Sequence, residues 1–137
     1  KKELVKIPIF GTIYKRICVM VDRSSPKSRV DVYSRCAEKM EEGNSIVLFP
    51  EGGVPDDTSI VLDEFKDGAF TLSSKHNSPI AVFTIVGLKE IFPFNNSQGH
   101  PGKVKIYFND ILEPVVSTKD LKLSAFETIK KTLTEHS

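Results

Sequence analysis

Three short, largely apolar runs constrain this chain most: Ile17-Cys18-Val19-Met20-Val21, Ser45-Ile46-Val47-Leu48-Phe49 and Ile80-Ala81-Val82-Phe83-Thr84-Ile85-Val86. Each has the length of a strand, and none alternates polar with apolar residues. Such runs are the pattern of strands buried on both faces, which in turn demands helices above and below a sheet. The intervening stretches supply them. Ser28 reads as an N-cap with Asp31 in a capping-box position; Val32, Tyr33, Cys36, Ala37 and Met40 then recur at helical spacing. Arg35, Glu38, Lys39, Glu41 and Glu42 fill the other side, and Gly43 is the stop signal. Residues 66–76 read as a short helix carrying Ala69, Phe70 and Leu72, and Pro79 introduces the third run. Lys103–Phe108 alternates polar with apolar and reads as an edge or half-exposed strand. Ser124-Ala125-Phe126-Glu127 is a capping-box pattern for a last helix with Phe126, Ile129 and Leu133 inward. The expected fold is α/β, a mostly parallel central sheet flanked by helices.

A length of 137 residues suits one domain spanning residues 1–137. With 19 Lys plus Arg against 18 Asp plus Glu, the net charge of +1 argues against a nucleic-acid partner held by a strongly basic surface. Apolar residues at 39%, with nine Phe, are enough to fill a core. Two cysteines, Cys18 and Cys36, are too few for a disulfide scaffold, and both lie in apolar settings typical of reduced thiols. The longest apolar stretch, Ile80 to Leu88, is half of what a membrane-spanning helix needs. The chain opens at Lys1-Lys2-Glu3-Leu4 without an initiator Met, so upstream material is expected.

In an open α/β sheet, ligands bind off the carboxyl ends of the strands. Asp22-Arg23, Glu51-Gly52-Gly53 and Gly87 fall at such ends. If the first two strands are parallel neighbours, Arg23 and Glu51 face one crevice, and with nearby lysines it suits an anionic ligand. Taken singly, Asp22-Arg23 is also what a solvated loop looks like, and Pro50-Glu51-Gly52-Gly53 what a turn with an incidental carboxylate looks like. No Gly-rich nucleotide loop follows any strand, and His76, His100 and His136 show no metal-ligand spacing with the cysteines. No metal site and no resident cofactor are expected. Lys1, Lys2, Lys6, Lys15 and Arg16 make the amino-terminal segment basic. Leu4, Val5, Ile7, Ile9 and Phe10 among them fit either an anionic membrane surface or a protein core.

Several blocks together resemble the lysophosphatidic acid acyltransferase (PlsC-like, glycerolipid acyltransferase) family. Lys1-Lys2-Glu3-Leu4 with Ile7-Pro8 and Phe10-Gly11 is similar to its Lys-x-Glu-Leu segment, and Val19-Met20-Val21-Asp22-Arg23 to its Ile-Asp-Arg block. Val47-Leu48-Phe49-Pro50-Glu51-Gly52 resembles Phe-Pro-Glu-Gly-Thr-Arg. Phe65-Lys66-Asp67-Gly68-Ala69-Phe70 with Pro79-Ile80-Ala81-Val82 resembles the Phe-Lys-x-Gly-Ala and Pro-Ile blocks. The resemblance covers residues 1 to about 87, in the family's order.

The resemblance implies transfer of an acyl chain from acyl-CoA or acyl-carrier protein to a lysophospholipid-type acceptor, usually 1-acylglycerol 3-phosphate. It also implies a place on the cytoplasmic face of a membrane for the full-length protein, with this stretch itself soluble. Carried over by position, Lys1 and Arg23 are phosphate-binding candidates, Glu51 and Gly52 shape the acceptor site, and Lys66 is a further positional match. Two departures stand out. The family's His-x4-Asp general-base motif is absent, since His76 leads to Ala81, His100 to Lys105, and His136 is next to last. Its place is upstream of Lys1, so the stretch reads as a family domain cut after its base, with no catalytic residue of its own. Gly53-Val54 replaces Thr-Arg, which removes one phosphate ligand and puts the acceptor head group in question. The alternative is a non-catalytic lipid- or protein-binding domain derived from the same fold.

Overall fold

A computed structural model describes residues 5–21, 25–53, 61–93, 98–115 and 117–136. Helix α1 spans Phe10–Ile17, and its start is set by a close approach. The Gly11 amide donates to the Ile7 carbonyl at 2.7 Å, and a Cβ on Gly11 would run into the Val5 carbonyl. Only glycine fits there. Phe10, Ile13, Tyr14 and Ile17 share one face by their spacing, and the Phe10 and Tyr14 rings stack at 5.6 Å. Helix α2 spans Pro26–Glu41. Its cap is Ser25, whose side chain accepts from the Ser28 amide at 3.2 Å, so the helix begins before the expected cap at Ser28. Proline at the first helical position explains the shift: its fixed φ suits that place, and it lacks an N–H that would go unused there. Gly43 ends the helix as expected. With φ at +85°, it lets the Gly43 and Asn44 amides reach back to the Met40 and Lys39 carbonyls, the paired bonds of a Schellman motif.

Helix α3 (Gly68–His76), strand β1 (Ile80–Val86), the short α4 (Leu88–Ile91), strand β2 (Lys105–Leu112) and α5 (Thr118–His136) follow. The chain divides into two compact units, Lys1–Leu48 and Phe49–Ser137. In the second, Phe65, Phe70, Val82, Leu121 and Ala125 form the buried core, with Ile80, Leu112, Phe126 and Ile129 packed against it. The Phe65 ring meets Phe126 edge-on at 5.1 Å and lies parallel to Phe70 at 6.2 Å. Each such buried side chain contributes roughly 1.5–3 kcal/mol. The last helix starts before the expected capping box at Ser124. Ser117 is the residue that caps it, accepting from the Asp120 amide at 3.2 Å while donating to the Asp120 carboxylate at 2.7 Å.

The mostly parallel sheet is not what the described residues form. Their sheet has two strands, β1 and β2, paired antiparallel from Ile80 opposite Leu112 to Val86 opposite Lys105. The run 17–21 ends α1 at Ile17 and continues without regular structure, as does 45–49. A strand exists only where a neighbour takes up its backbone N–H and C=O groups, however apolar its side chains. Val47 and Phe49 accordingly stand 82% and 72% exposed. The strand pattern in 103–108 is realised, shifted to Lys105–Leu112.

A register irregularity beside Val82 and Phe83 leaves Asn109 without a direct partner across the strands. It turns Asn109 toward α5 and keeps Phe108 and Ile111 on one face. Thr84 Oγ1 donates to Asn109 Oδ1 at 2.7 Å, Asn109 Nδ2 donates to Thr132 Oγ1 at 2.5 Å, and Thr132 Oγ1 donates to the Thr128 carbonyl at 3.1 Å. This relay ties both strands to α5. The opposite face carries Ala81, Phe83, Ile85, Ile106, Phe108 and Ile111, and it is largely bare: the Phe83 and Phe108 rings pair at 5.4 Å yet remain more than half exposed. The burial of both faces expected for Ile80–Val86 is met on one.

Candidate functional site

The Phe-Pro-Glu-Gly and Phe-Lys-x-Gly-Ala blocks, separate in sequence, are brought together in the second unit. The Gly52 amide donates to the Phe49 carbonyl at 3.1 Å, closing a tight turn. Proline in the second place and glycine in the fourth are the residues such a turn favours. Gly52 holds φ at +75°, a conformation costly for any residue with a Cβ. Two bonds fasten this turn to the second block and to the residues just before it. The Lys66 amide donates to the Pro50 carbonyl at 2.8 Å, and Glu51 Oε2 accepts from the Asp63 amide at 3.1 Å. Lys66 also passes over the glycine: its Cγ lies 3.6 Å from where a Cβ on Gly52 would be.

Phe65 decides where Lys66 points. With Phe65 buried to 2% in the core, its neighbour is turned outward, and Lys66 is exposed beside the turn. On the other side, Asp67 accepts from Lys122 of α5 at 2.6 Å, holding the start of α3 to that helix. This bond from Asp67 is the first cause that raises the Lys122 pKa above its ordinary value; partial desolvation opposes it, and the charges of Asp67 and Glu64 add to it. Glu51, Gly52 and Lys66 therefore form one cluster: a carboxylate spent on a backbone amide, a left-handed glycine and a cation with no ion-pair partner among the described residues. Chemically, that arrangement shapes a polypeptide edge and offers one positive charge to an anionic group.

Lys1 and Arg23 lie outside the described residues, as do Asp22 and Val54, so the crevice expected between Arg23 and Glu51 is not among them. Gly87, at the end of β1, has φ at +95°, and a Cβ there would sit 2.8 Å from the Lys103 carbonyl oxygen. Its part is conformational. His76 ends α3, and His100 is exposed with its ring nitrogen 3.1 Å from the Pro101 carbonyl. Among the described residues, no group of His, Cys, Asp and Glu is placed to hold a metal ion, and no helix is long and apolar enough to cross a membrane.

Two residues escape the reading of the sequence. Asp63 contributes its amide, which no side-chain pattern announces. Its charge assigns Arg35 to the polar side of α2, but its guanidinium donates to the Met20 carbonyl at 2.5 Å. The signal for it is its spacing. Arg35 follows Val32 by three residues and precedes the buried Cys36, which puts it at the margin of the inward face. Burial raises the Cys36 thiol above its usual value, and the adjacent Arg35 charge partly offsets this.

Comparison with known proteins agrees with these blocks. The family model described as Acyltransferase matches residues 1–86. Over 122 residues the chain is 32% identical to a chloroplast 1-acyl-sn-glycerol-3-phosphate acyltransferase of Brassica napus, covering 87% of this chain and 34% of that protein. It is 34% identical over 109 residues to a chloroplast 1-acyl-sn-glycerol-3-phosphate acyltransferase of Arabidopsis thaliana, covering 77% of this chain and 30% of that one. The crystal structure of the 1-acyl-sn-glycerophosphate acyltransferase PlsC from Thermotoga maritima superposes with a TM-score of 0.78 at 25% identity, over 98% of this chain and 54% of that chain. The chain belongs to the acyltransferase family. It spans about a third of the length of these chloroplast relatives and about half of the bacterial structure.

Proposed function

We propose that this chain supplies the acceptor side of an O-acyltransferase of phospholipid synthesis, moving an acyl group from acyl-CoA or acyl-carrier protein to 1-acylglycerol 3-phosphate or a related lysolipid. The observation that carries this reading is the joining of the two family blocks by the Glu51–Asp63 and Lys66–Pro50 bonds. In the reaction the acceptor hydroxyl loses its proton to a general base. Its oxygen then bonds to the thioester carbonyl carbon, the carbon–sulfur bond breaks, and the thiolate leaves and takes up a proton. The base is the family's His-x4-Asp pair, placed before Lys1 in the protein that carries the complete domain. By their positions in the family blocks, Lys1 and Arg23 are phosphate-binding residues in this reading and Lys66 is a further cation, while Glu51 and Gly52 shape the turn beside Lys66. The thioester is a co-substrate, and the chemistry asks for no resident cofactor.

A membrane surface is the second partner in this reading. The apolar side of α1 is open, with Ile9, Phe10, Ile13 and Ile17 exposed and Lys15 and Arg16 in its last turn, a combination that suits an anionic lipid interface. The cytoplasmic face of a membrane is the location that fits an enzyme handling such lipids.

One specific observation favours the second reading, a non-catalytic lipid- or protein-binding domain: no histidine of this sequence has an aspartate at the family's spacing. Thiol release from acyl-CoA, dependent on lysophosphatidic acid, separates the two readings. The protein with the complete domain turns over and its base variant does not, whereas a binding module releases no thiol in either form. The 137-residue chain by itself is inactive in the enzyme reading, because loss of a general base forfeits about 10²–10⁴ in rate. Val54→Arg refines the acceptor. It lowers KM for lysophosphatidic acid with kcat unchanged if the phosphate is the ligand. A preference for an uncharged acceptor that the new Arg weakens assigns a different head group.

A further inference from the structure

We propose that Lys122 is a positioning residue for the acceptor site: by holding the Asp67 carboxylate, it leaves the neighbouring Lys66 ammonium to the acceptor's anionic group. The inference rests on the reading of Lys66 as a cation for that group, and its observations all lie in the second unit. Lys122 Nζ donates to Asp67 Oδ1 at 2.6 Å, a bond between α5 and the start of α3. Asp67 follows Lys66 directly and stands at the cap position of α3, where an aspartate ordinarily accepts from the first helical amides. It makes no such bond. Its carboxylate takes the distant ammonium in place of the local amides.

Both ends of this tie stand next to the core, since Phe65 and Leu121 are buried in it. The Lys122 side chain keeps 28% of its surface exposed, against 48% for Lys39 and 75% for Lys131, which also form ion pairs. A stem covered in this way has already lost much of its rotamer freedom, so the bond costs little further entropy. Two other carboxylates near the turn are spent on backbone: Glu51 accepts from the Asp63 amide at 3.1 Å, and Asp63 from the Glu64 amide at 2.7 Å. Glu64 joins Asp67 in the negative field at Lys122. One ammonium therefore faces the acids on both sides of Phe65-Lys66. Consecutive Cα atoms are about 3.8 Å apart, so a bare carboxylate at 67 acts on Lys66 within a screening length of about 8 Å. Unpaired, it draws the Lys66 ammonium toward itself and repels a phosphate that approaches it. At such a distance in water-like surroundings, the affinity for a phosphate changes about threefold.

The test uses the protein with its complete acyltransferase domain and lysophosphatidic acid as the acceptor. Lys122→Met keeps the covered stem and removes the ammonium; it is expected to raise KM about threefold with kcat unchanged. Lys122→Arg keeps the charge and stays near wild type. In Lys122→Met/Asp67→Asn the bare carboxylate is gone as well, and KM returns close to wild type. High salt shrinks the Lys122→Met effect by screening that carboxylate. In a Lys66→Gln background, Lys122→Met adds little further, because it acts through Lys66. Acylation of the Lys66 amine by acetic anhydride, read by mass spectrometry, slows in Lys122→Met and recovers in the double variant. The reason is that an unpaired carboxylate nearby favours the protonated, unreactive amine. With Lys66→Gln itself raising KM, the proposal is overturned by an unchanged KM in Lys122→Met. A rise that persists in Lys122→Met/Asp67→Asn, or at full size in the Lys66→Gln background, overturns it equally. If Lys66→Gln alone leaves KM unchanged, the reading of Lys66 as the acceptor's cation is what fails. The acylation rate then decides for Lys122: an unchanged Lys66 rate in Lys122→Met overturns its hold on the Asp67 charge, and a slowed rate that Asp67→Asn restores supports it.

Discussion

The two units carry family blocks of similar kind on very different foundations. The Glu51 turn and Lys66 hang from a core, since Phe65, one residue from Lys66, is buried among Phe70, Val82, Leu121 and Ala125. In the first unit, the segment 18–21 is held by a side-chain bond, Arg35 to Met20. Among the described residues, the buried apolar side chain of the first unit is Cys36, while the second unit holds the remainder of the core. A loop fixed by packing is held by many contacts at once. A segment held by one hydrogen bond follows that bond.

The largest effect expected from this contrast is at Phe65. Phe65→Ala should cost about 3–5 kcal/mol, because it leaves a cavity between Phe70 and Phe126. Urea unfolding followed by circular dichroism gives the figure. A cost below about 1 kcal/mol would show that the core does not support the Lys66 block. Next is Gly11→Ala in the first unit. Its new methyl meets the Val5 backbone, which cannot move aside as a flexible side chain would, and about 1–3 kcal/mol should be lost from α1. An α1 with unchanged helicity in that variant would mean that the turn at Val5–Ile9 opens freely.

Glu51→Ala comes third. It removes the acceptor for the Asp63 amide in a half-buried setting and should cost about 1 kcal/mol, with Glu51→Gln, which keeps a carbonyl oxygen there, costing less. Equal losses in the two variants would mean that Glu51 acts through its charge and not through this bond. The smallest effect belongs to Lys122 and Asp67. The folded pKa of Lys122 is raised, chiefly by its hydrogen bond to Asp67. The stability it adds is therefore fully present below the unfolded lysine value and lost as pH rises through the folded one, at strongly alkaline pH. Lys122→Met should flatten the alkaline limb of a stability–pH curve by lowering stability slightly at neutral pH and not at strongly alkaline pH, a small effect as befits an exposed pair.

Periodicity alone determined the bodies of α2, α3 and α5 and the strongest strand, but announced neither α1 nor α4. Gly43 stops α2, Gly68–His76 of the expected 66–76 form α3, and Ile80–Val86 is a strand to the residue, because these patterns depend on neighbours close in the chain. The blocks that placed Glu51, Gly52 and Lys66 in a family were equally visible, since each is a short run whose turn and packing requirements are local. Competing local signals were harder to rank. Ser28 and Ser124 each had the form of a cap, but Pro26 and the Ser117–Asp120 pair set the real starts of α2 and α5. Strand partnership could not be read at all. The runs 17–21 and 45–49 have the side chains of buried strands, yet a strand is made by backbone groups of another segment, and sequence does not say which segment will supply them. For the same reason the antiparallel pairing of β1 with β2, the Asn109 relay, the Glu51–Asp63 bond and the hold of Arg35 on Met20 were decided by tertiary structure. Each joins groups distant in the chain, and only folding sets the distance between them.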